Sequence, residues 1–232
     1  MPSAACGRPM LEGKAMAYIT LPTFVGYSAS SGPSRSSFVR RQRRLYEDPA
    51  RAAFNYYRKA ANAVRSGRVA GQDEVALRAL VNAADERTKP HYTAIAEGWL
   101  RYLGRRSPRV VEVGRGRCRL GELEIGVSPQ LGLRKSDGRR YATWLYFKEE
   151  PLTKDAAQLA LWVLEQAMPD ILPGGEALVV DVRRAKEFQL SPRDRERLRP
   201  WAASEASAFM TLWENVEIPA PRRPADESQL RM

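Results

Sequence analysis

Glu122 and Glu124 stand two residues apart in a segment of β-forming residues, so in a strand both carboxylates project from one face. Two carboxylates placed this way would hold a divalent cation or pair with nearby arginines, and Glu97 on a preceding helix would join them. Lys148 ends the run Arg139 to Lys148, where aromatic and β-branched residues dominate as they do in a buried strand. If the strands bring Glu122 and Glu124 up to Lys148, the three would form a site for a metal or an ion pair. Other catalytic patterns are absent from the sequence. There is no GxSxG elbow, Walker loop, HExxH pair or dinucleotide GxGxxG, and the glycines of VGRGR at 113–117 read as a strand turn. His91 is the single histidine, and Cys6 and Cys118 form no CxxC pair, which argues against zinc.

The 232 residues are 44% apolar, enough to bury a core, and carry a formal charge of +11. That charge is concentrated near the start. Residues 1–68 hold 12 Lys/Arg against 3 acids, whereas residues 69–232 hold 26 against 24. A second local patch lies between Arg101 and Arg119, with seven arginines and Glu112 as the one acid. Such clusters favour phosphate-bearing partners through counterion release, without reading sequence. Arg40, Arg41, Arg43, Arg44, Arg105, Arg106, Arg115 and Arg117 are the expected nucleic-acid contacts. No run approaches the roughly 20 apolar residues that span a bilayer, so a cytoplasmic protein without a membrane partner is expected.

The elements that would position these groups follow from local pattern. Residues 1–44 read as a basic, flexible arm with a Ser/Gly/Pro cluster from Tyr27 to Ser37. If translation starts at Met16, the arm begins MAYITLPTFVGY and has the composition for a short strand. Asp48-Pro49 opens a helix that Gly67 closes. A second helical region covers about 72–103, with a break near Lys89 imposed by Pro90. After Pro108 the pattern turns to strands: RVVEVG, a segment from about Cys118 to Val127, and RRYATWLYFK behind a Ser136-Asp137-Gly138 turn. Thr153 or Asp155 starts a helix toward Pro169, ALVVDV at 177–182 is a strand, and Ser191-Pro192 opens a last helix bent at Pro200. The expected organisation is one α/β domain at 45–218, helical over 45–106 and sheet-containing over 107–218, with a flexible tail at 219–232.

Helix, three strands, helix and strand is an order that resembles the core of the PD-(D/E)XK nuclease superfamily, over residues 109–182. The resemblance is to the RecB-like branch, in which a lysine-ending strand leads to a helix bearing a QLxxY signature. Here that helix reads Gln158-Leu159-Ala160-Leu161-Trp162. The resemblance implies a restriction-endonuclease-like sheet flanked by helices, catalytic roles for Lys148 and Gln158, and magnesium held by acids. The family's acids are missing where they should stand. Gly132-Leu133-Arg134 falls where the first is expected, and Tyr146 replaces the acid two residues before the lysine. Asp137, Glu149 and Glu150 are the neighbours to which a ligand could have migrated.

The departures lead us to expect a non-catalytic nucleic-acid-binding or assembly protein on a nuclease-like fold. A divergent magnesium-dependent nuclease using Glu122, Glu124, Lys148 and Gln158 is one alternative. A protein-protein interaction module of a phage, mobile element or defence system is another.

Overall fold

Residues 17–47 depart first from expectation. The computed structural model describes residues 16–47, 57–104 and 106–216, and it builds the start of this range into strand β1 (Ala17–Thr20), helix α1 (Leu21–Ser28) and helix α2 (Ser34–Glu47). The expected arm at 1–44 is therefore part of the fold from residue 17 onward. Ile19, Leu21, Phe24, Tyr27 and Val39 are all buried, and they are too widely spaced to announce themselves as one periodic stripe. The short strand expected in MAYIT is present as β1, and Pro22 occupies the first turn of α1, where its missing donor is harmless. Residues 1–15 of the expected arm and the tail at 219–232 lie outside the described residues.

Three helices follow: α3 (Arg58–Ala70), α4 (Asp73–Asn82) and α5 (Lys89–Leu103). The expected opening at Asp48-Pro49 also lies outside the described residues. Helix α3 runs past Gly67 and stops at Gly71, whose φ of 66° provides a left-handed end. Gly67 serves close packing instead, because a Cβ there would lie 2.9 Å from the Asp73 Cα. The break expected near Lys89 in the 72–103 region is present as the segment 83–88 between α4 and α5, and Pro90 sits in the first turn of α5. Buried Asp73 accepts a hydrogen bond from Trp99 Nε1 at 3.1 Å and pairs with Arg68 at 3.3 Å, tying the three helices together.

The rest of the chain supplies β2 (Arg109–Val111), β3 (Gly116–Leu120), β4 (Leu123–Val127), β5 (Leu131–Arg134), β6 (Arg140–Tyr146), α6 (Lys154–Gln166), α7 (Met168–Ile171), β7 (Glu176–Asp181), β8 (Lys186–Phe188) and α8 (Pro192–Asn215). Two sheets form where one was expected. The larger has the order β2-β5-β6-β7-β8, and the smaller has the order β1-β4-β3. The Cys118 to Val127 segment, expected as one strand, instead spans the end of β3, a turn at Gly121 with φ of 61°, and all of β4, which together form a hairpin. This hairpin leaves the main sheet and pairs in parallel with β1, Ala17 opposite Leu123. The turn expected at Ser136 to Gly138 joins β5 to β6, with Gly138 at φ 84°.

Strands β6 and β7 are parallel, so their connection must cross over the sheet, and α6 is that crossover. Thr153 caps α6 by accepting from the Ala156 N–H at 3.2 Å. Every residue from Ala156 to Leu164 is buried, because α6 lies between the larger sheet on one side and α1, α8 and β3 on the other. The larger sheet is covered on both faces. Ala142 and Trp144 face α6, while Tyr141 and Leu145 face the second core formed with α3 and α5. Side chains of one strand thus feed two cores by simple alternation.

Because Phe24 is fully buried in the core around α6, Phe24→Ala should cost about 3–5 kcal/mol in a urea unfolding experiment. An exposed, dispensable arm would show no loss at all.

Candidate nucleic-acid interface

The end of β6 opens into a cleft of about 770 Å³. Its floor is the segment from Trp144 to Lys148, and one wall is α3, which presents Arg58, Ala61, Asn62 and Arg65 at helical spacing with Tyr57 just before them. The C-terminal turns of α2 supply Gln42 and Tyr46, and the loops at 113–115 and 128–130 complete the rim. Each wall is pinned locally. The Tyr46 hydroxyl accepts from the Thr20 N–H at 2.9 Å, which fixes the end of α2 against the start of α1. Gln130 Oε1 accepts from the Leu145 N–H at 2.8 Å, which fixes the 128–130 loop to β6.

Charge in the cleft is one-sided. Arg58, Arg65, Arg115 and Lys148 line it, and among the described residues no Asp or Glu does. All four side chains are exposed, and among the described residues none is paired with a carboxylate. Lys148 reaches toward α1, where its Nζ would lie 3.9 Å from a Cβ at Gly26. Uncompensated cations around a concave surface raise the local concentration of anions, phosphate above all.

The floor is held from beneath. Arg183 Nε donates to the Phe147 carbonyl at 2.8 Å, and Arg184 donates to the Lys148 carbonyl at 3.1 Å and to the Glu149 carbonyl. Asp181, buried at the end of β7 opposite Tyr146, accepts from the Leu152 N–H at 3.1 Å and lies 3.5 Å from Arg184. His91 Nδ1 meets Arg183 at 2.9 Å, so the lone histidine braces this loop. Asp181 went unrecognised in the sequence as anything but part of the strand ALVVDV. Arg58 and Arg65 belong to no motif that marks them in the sequence, though their seven-residue spacing beside Tyr57 puts them on one helix face.

The expected metal site does not assemble. Glu122 lies in the β3–β4 turn rather than on the strand, and lines a separate groove beside α8 together with Trp162. Glu124 is on β4 and pairs with Arg117 at 2.8 Å. Gln158 is buried on α6, with its Oε1 3.5 Å from Arg197 of α8. None of the three lines the cleft that holds Lys148. Among the described residues no group of three or more His, Cys, Asp or Glu is placed to hold a metal ion.

The eight expected phosphate contacts also separate. Arg115 lines the cleft. Arg43 donates to the Trp213 carbonyl at 2.6 Å and the Val216 carbonyl at 3.2 Å, closing the end of α8. Arg106 donates to the Tyr102 carbonyl at 3.0 Å and lies over the Tyr102 ring, and Arg117 is taken by Glu124. Arg40 and Arg41 are exposed on α2 and Arg44 is half-buried there. Arg105 lies outside the described residues.

The arrangement defines a mixed α/β protein with two small mixed sheets flanked by helices and a basic cleft at the end of the central strand β6. None of its described helices is long and apolar enough to cross a membrane. Compared with known proteins, the chain matches no protein-family model and no curated sequence.

Tyr146 donates its hydroxyl proton to the Glu150 carbonyl at 2.9 Å, and its phenol is pushed up to about 12 by burial first and then by the Glu150 and Asp181 carboxylates. An unfolded tyrosine ionises near 10, so the unfolded chain loses this proton first as pH rises. The contribution of Tyr146 to stability is thus intact below about pH 10 and is lost between about 10 and 12. Urea midpoints measured at pH 8 and pH 11 should fall less steeply in Tyr146→Phe than in the wild type. Equal slopes would show that Tyr146 ionises as an exposed phenol.

Proposed function

We propose that this protein binds nucleic acid without cutting it, gripping the phosphate backbone in the cleft at the end of β6. The observation that carries the reading is the lining of that cleft: Arg58, Arg65, Arg115 and Lys148 face it, and no carboxylate among the described residues does. A site that cuts phosphodiesters with magnesium needs converging acids, and a site that only holds phosphates is better without them. The overall charge of +11 acts in the same direction at longer range. In this reading the Tyr141 to Val163 unit is a nuclease-like core that has exchanged a metal ligand for Tyr146 and kept Lys148 as a phosphate contact. The parallel β6 and β7 joined across α6, with β5 antiparallel beside β6, supports that ancestry.

The test is binding of a labelled DNA oligonucleotide by the full chain, followed by fluorescence anisotropy over a salt series. Affinity should fall steeply with salt, and each of Arg58→Ala, Arg65→Ala, Arg115→Ala and Lys148→Ala should reduce the slope of log affinity against log salt by about 0.9. Arg106→Ala and Arg117→Ala, whose guanidinium groups are engaged elsewhere, should change the slope little. Binding insensitive to salt, or unaltered in the fourfold variant, would sink the reading. Magnesium- or manganese-dependent cleavage lost in Lys148→Ala would replace it with the nuclease.

A further inference from the structure

We infer that the cleft takes a single-stranded segment, with unstacked bases laid against Tyr57 and Tyr146, in preference to a duplex. The inference rests on the nucleic-acid-binding reading above and adds the form of the ligand. Of the half-buried rings that line the cleft, Tyr57 and Tyr146 are each backed by a buried aromatic. Tyr57 stacks on Phe147 with centroids 5.8 Å apart and planes at 24°, and Tyr146 meets the edge of Trp144 at 6.0 Å and 70°. A ring held from behind loses little freedom when a base covers its outer face, which is what a stacking platform requires.

The cleft is also lined by polar groups of the kind that read base edges. Gln42 on α2 and Asn62 on α3 line the cleft, and neither carboxamide has a hydrogen-bond partner among the described residues. An amide offers one acceptor and two donor hydrogens, enough to meet a Watson–Crick edge once that edge is free. The cations Arg58, Arg65, Arg115 and Lys148 would then follow the backbone as it crosses the opening.

A duplex cannot use this arrangement. It keeps its base faces stacked inside and offers phosphates on a convex surface, so it would reach the cations and leave the rings unused. A cleft of about 770 Å³ is in the range that encloses ligand-sized groups, and splayed nucleotides are such groups.

The experiment compares the full chain's affinity for fluorescein-labelled oligo-dT of about 12 nucleotides, within the site sizes of known single-strand binders, and for a blunt duplex of equal length at one salt concentration. The single strand should bind at least about tenfold tighter, and Tyr57→Leu should weaken its binding roughly 5- to 150-fold, the range for loss of one stacked base. Tyr57→Phe should restore the preference, because the face of the ring and not its hydroxyl does the stacking. Equal affinity for strand and duplex, or a Tyr57→Leu loss of the same size for both, would overturn the single-strand inference and leave phosphate binding standing. Failure to bind either probe would remove both. If Tyr57→Leu does not fold, as judged by circular dichroism, Tyr146→Leu and the wild-type preference itself still decide the question.

Discussion

The burial of α6 on all sides is the constraint from which the rest of the architecture follows. A helix with nine consecutive buried residues cannot lie on a surface, so it needs a cover on each flank. The larger sheet supplies one cover. The other comes from α1, α8 and the small sheet, which together bring Phe24, Phe209, Ile19 and Ile125 against it. Segments far apart in the chain are therefore obliged to meet around α6. The start of the described chain joins the fold because the helix would otherwise expose apolar surface.

The same constraint places the cleft. A parallel β6 and β7 bridged by α6 leave the end of β6 free of any following strand, and the chain must turn there through Phe147 to Leu152 before α6 begins. That turn is bound from below by Asp181, Arg183 and Arg184, so the floor that presents Lys148 has its backbone groups engaged. Helices α2 and α3 approach from the sides because their own apolar residues belong to different cores, Val39 with α6 and Val64 with the opposite face of the sheet. A cleft results where the two cores diverge.

Arginine plays two roles here, and position decides between them. Arg43 completes a helix end, Arg117 neutralises a strand glutamate, and Arg183 and Arg184 satisfy the carbonyls of a loop. Those guanidinium groups offer several directed donors, which is what an exposed carbonyl or a carboxylate needs. Arg58, Arg65 and Arg115 project into open space with no such partner among the described residues, so their charge remains available to a ligand.

Several elements were legible in the sequence because their signals are local. Gly138 and Asp137 mark the β5–β6 turn, Thr153 caps α6, Ser191-Pro192 opens α8, and the density of β-branched and aromatic residues marks β6. The mixed α/β class also follows from the alternation of these elements. The pairing of β1 with β4 was not legible, because hydrogen bonds between strands more than a hundred residues apart leave no trace in local pattern. That pairing set the hairpin of Glu122 and Glu124 in a different sheet from β6, which leads to Lys148, and the packing of α8 turned Gln158 toward Arg197. What the sequence determined by itself was those locally marked elements and the surplus of positive charge, since both depend on residue identity and near neighbours. Which cations stay free and which side chains share a cleft was decided by tertiary structure alone, because charge pairing and concavity are relations between distant parts of the chain.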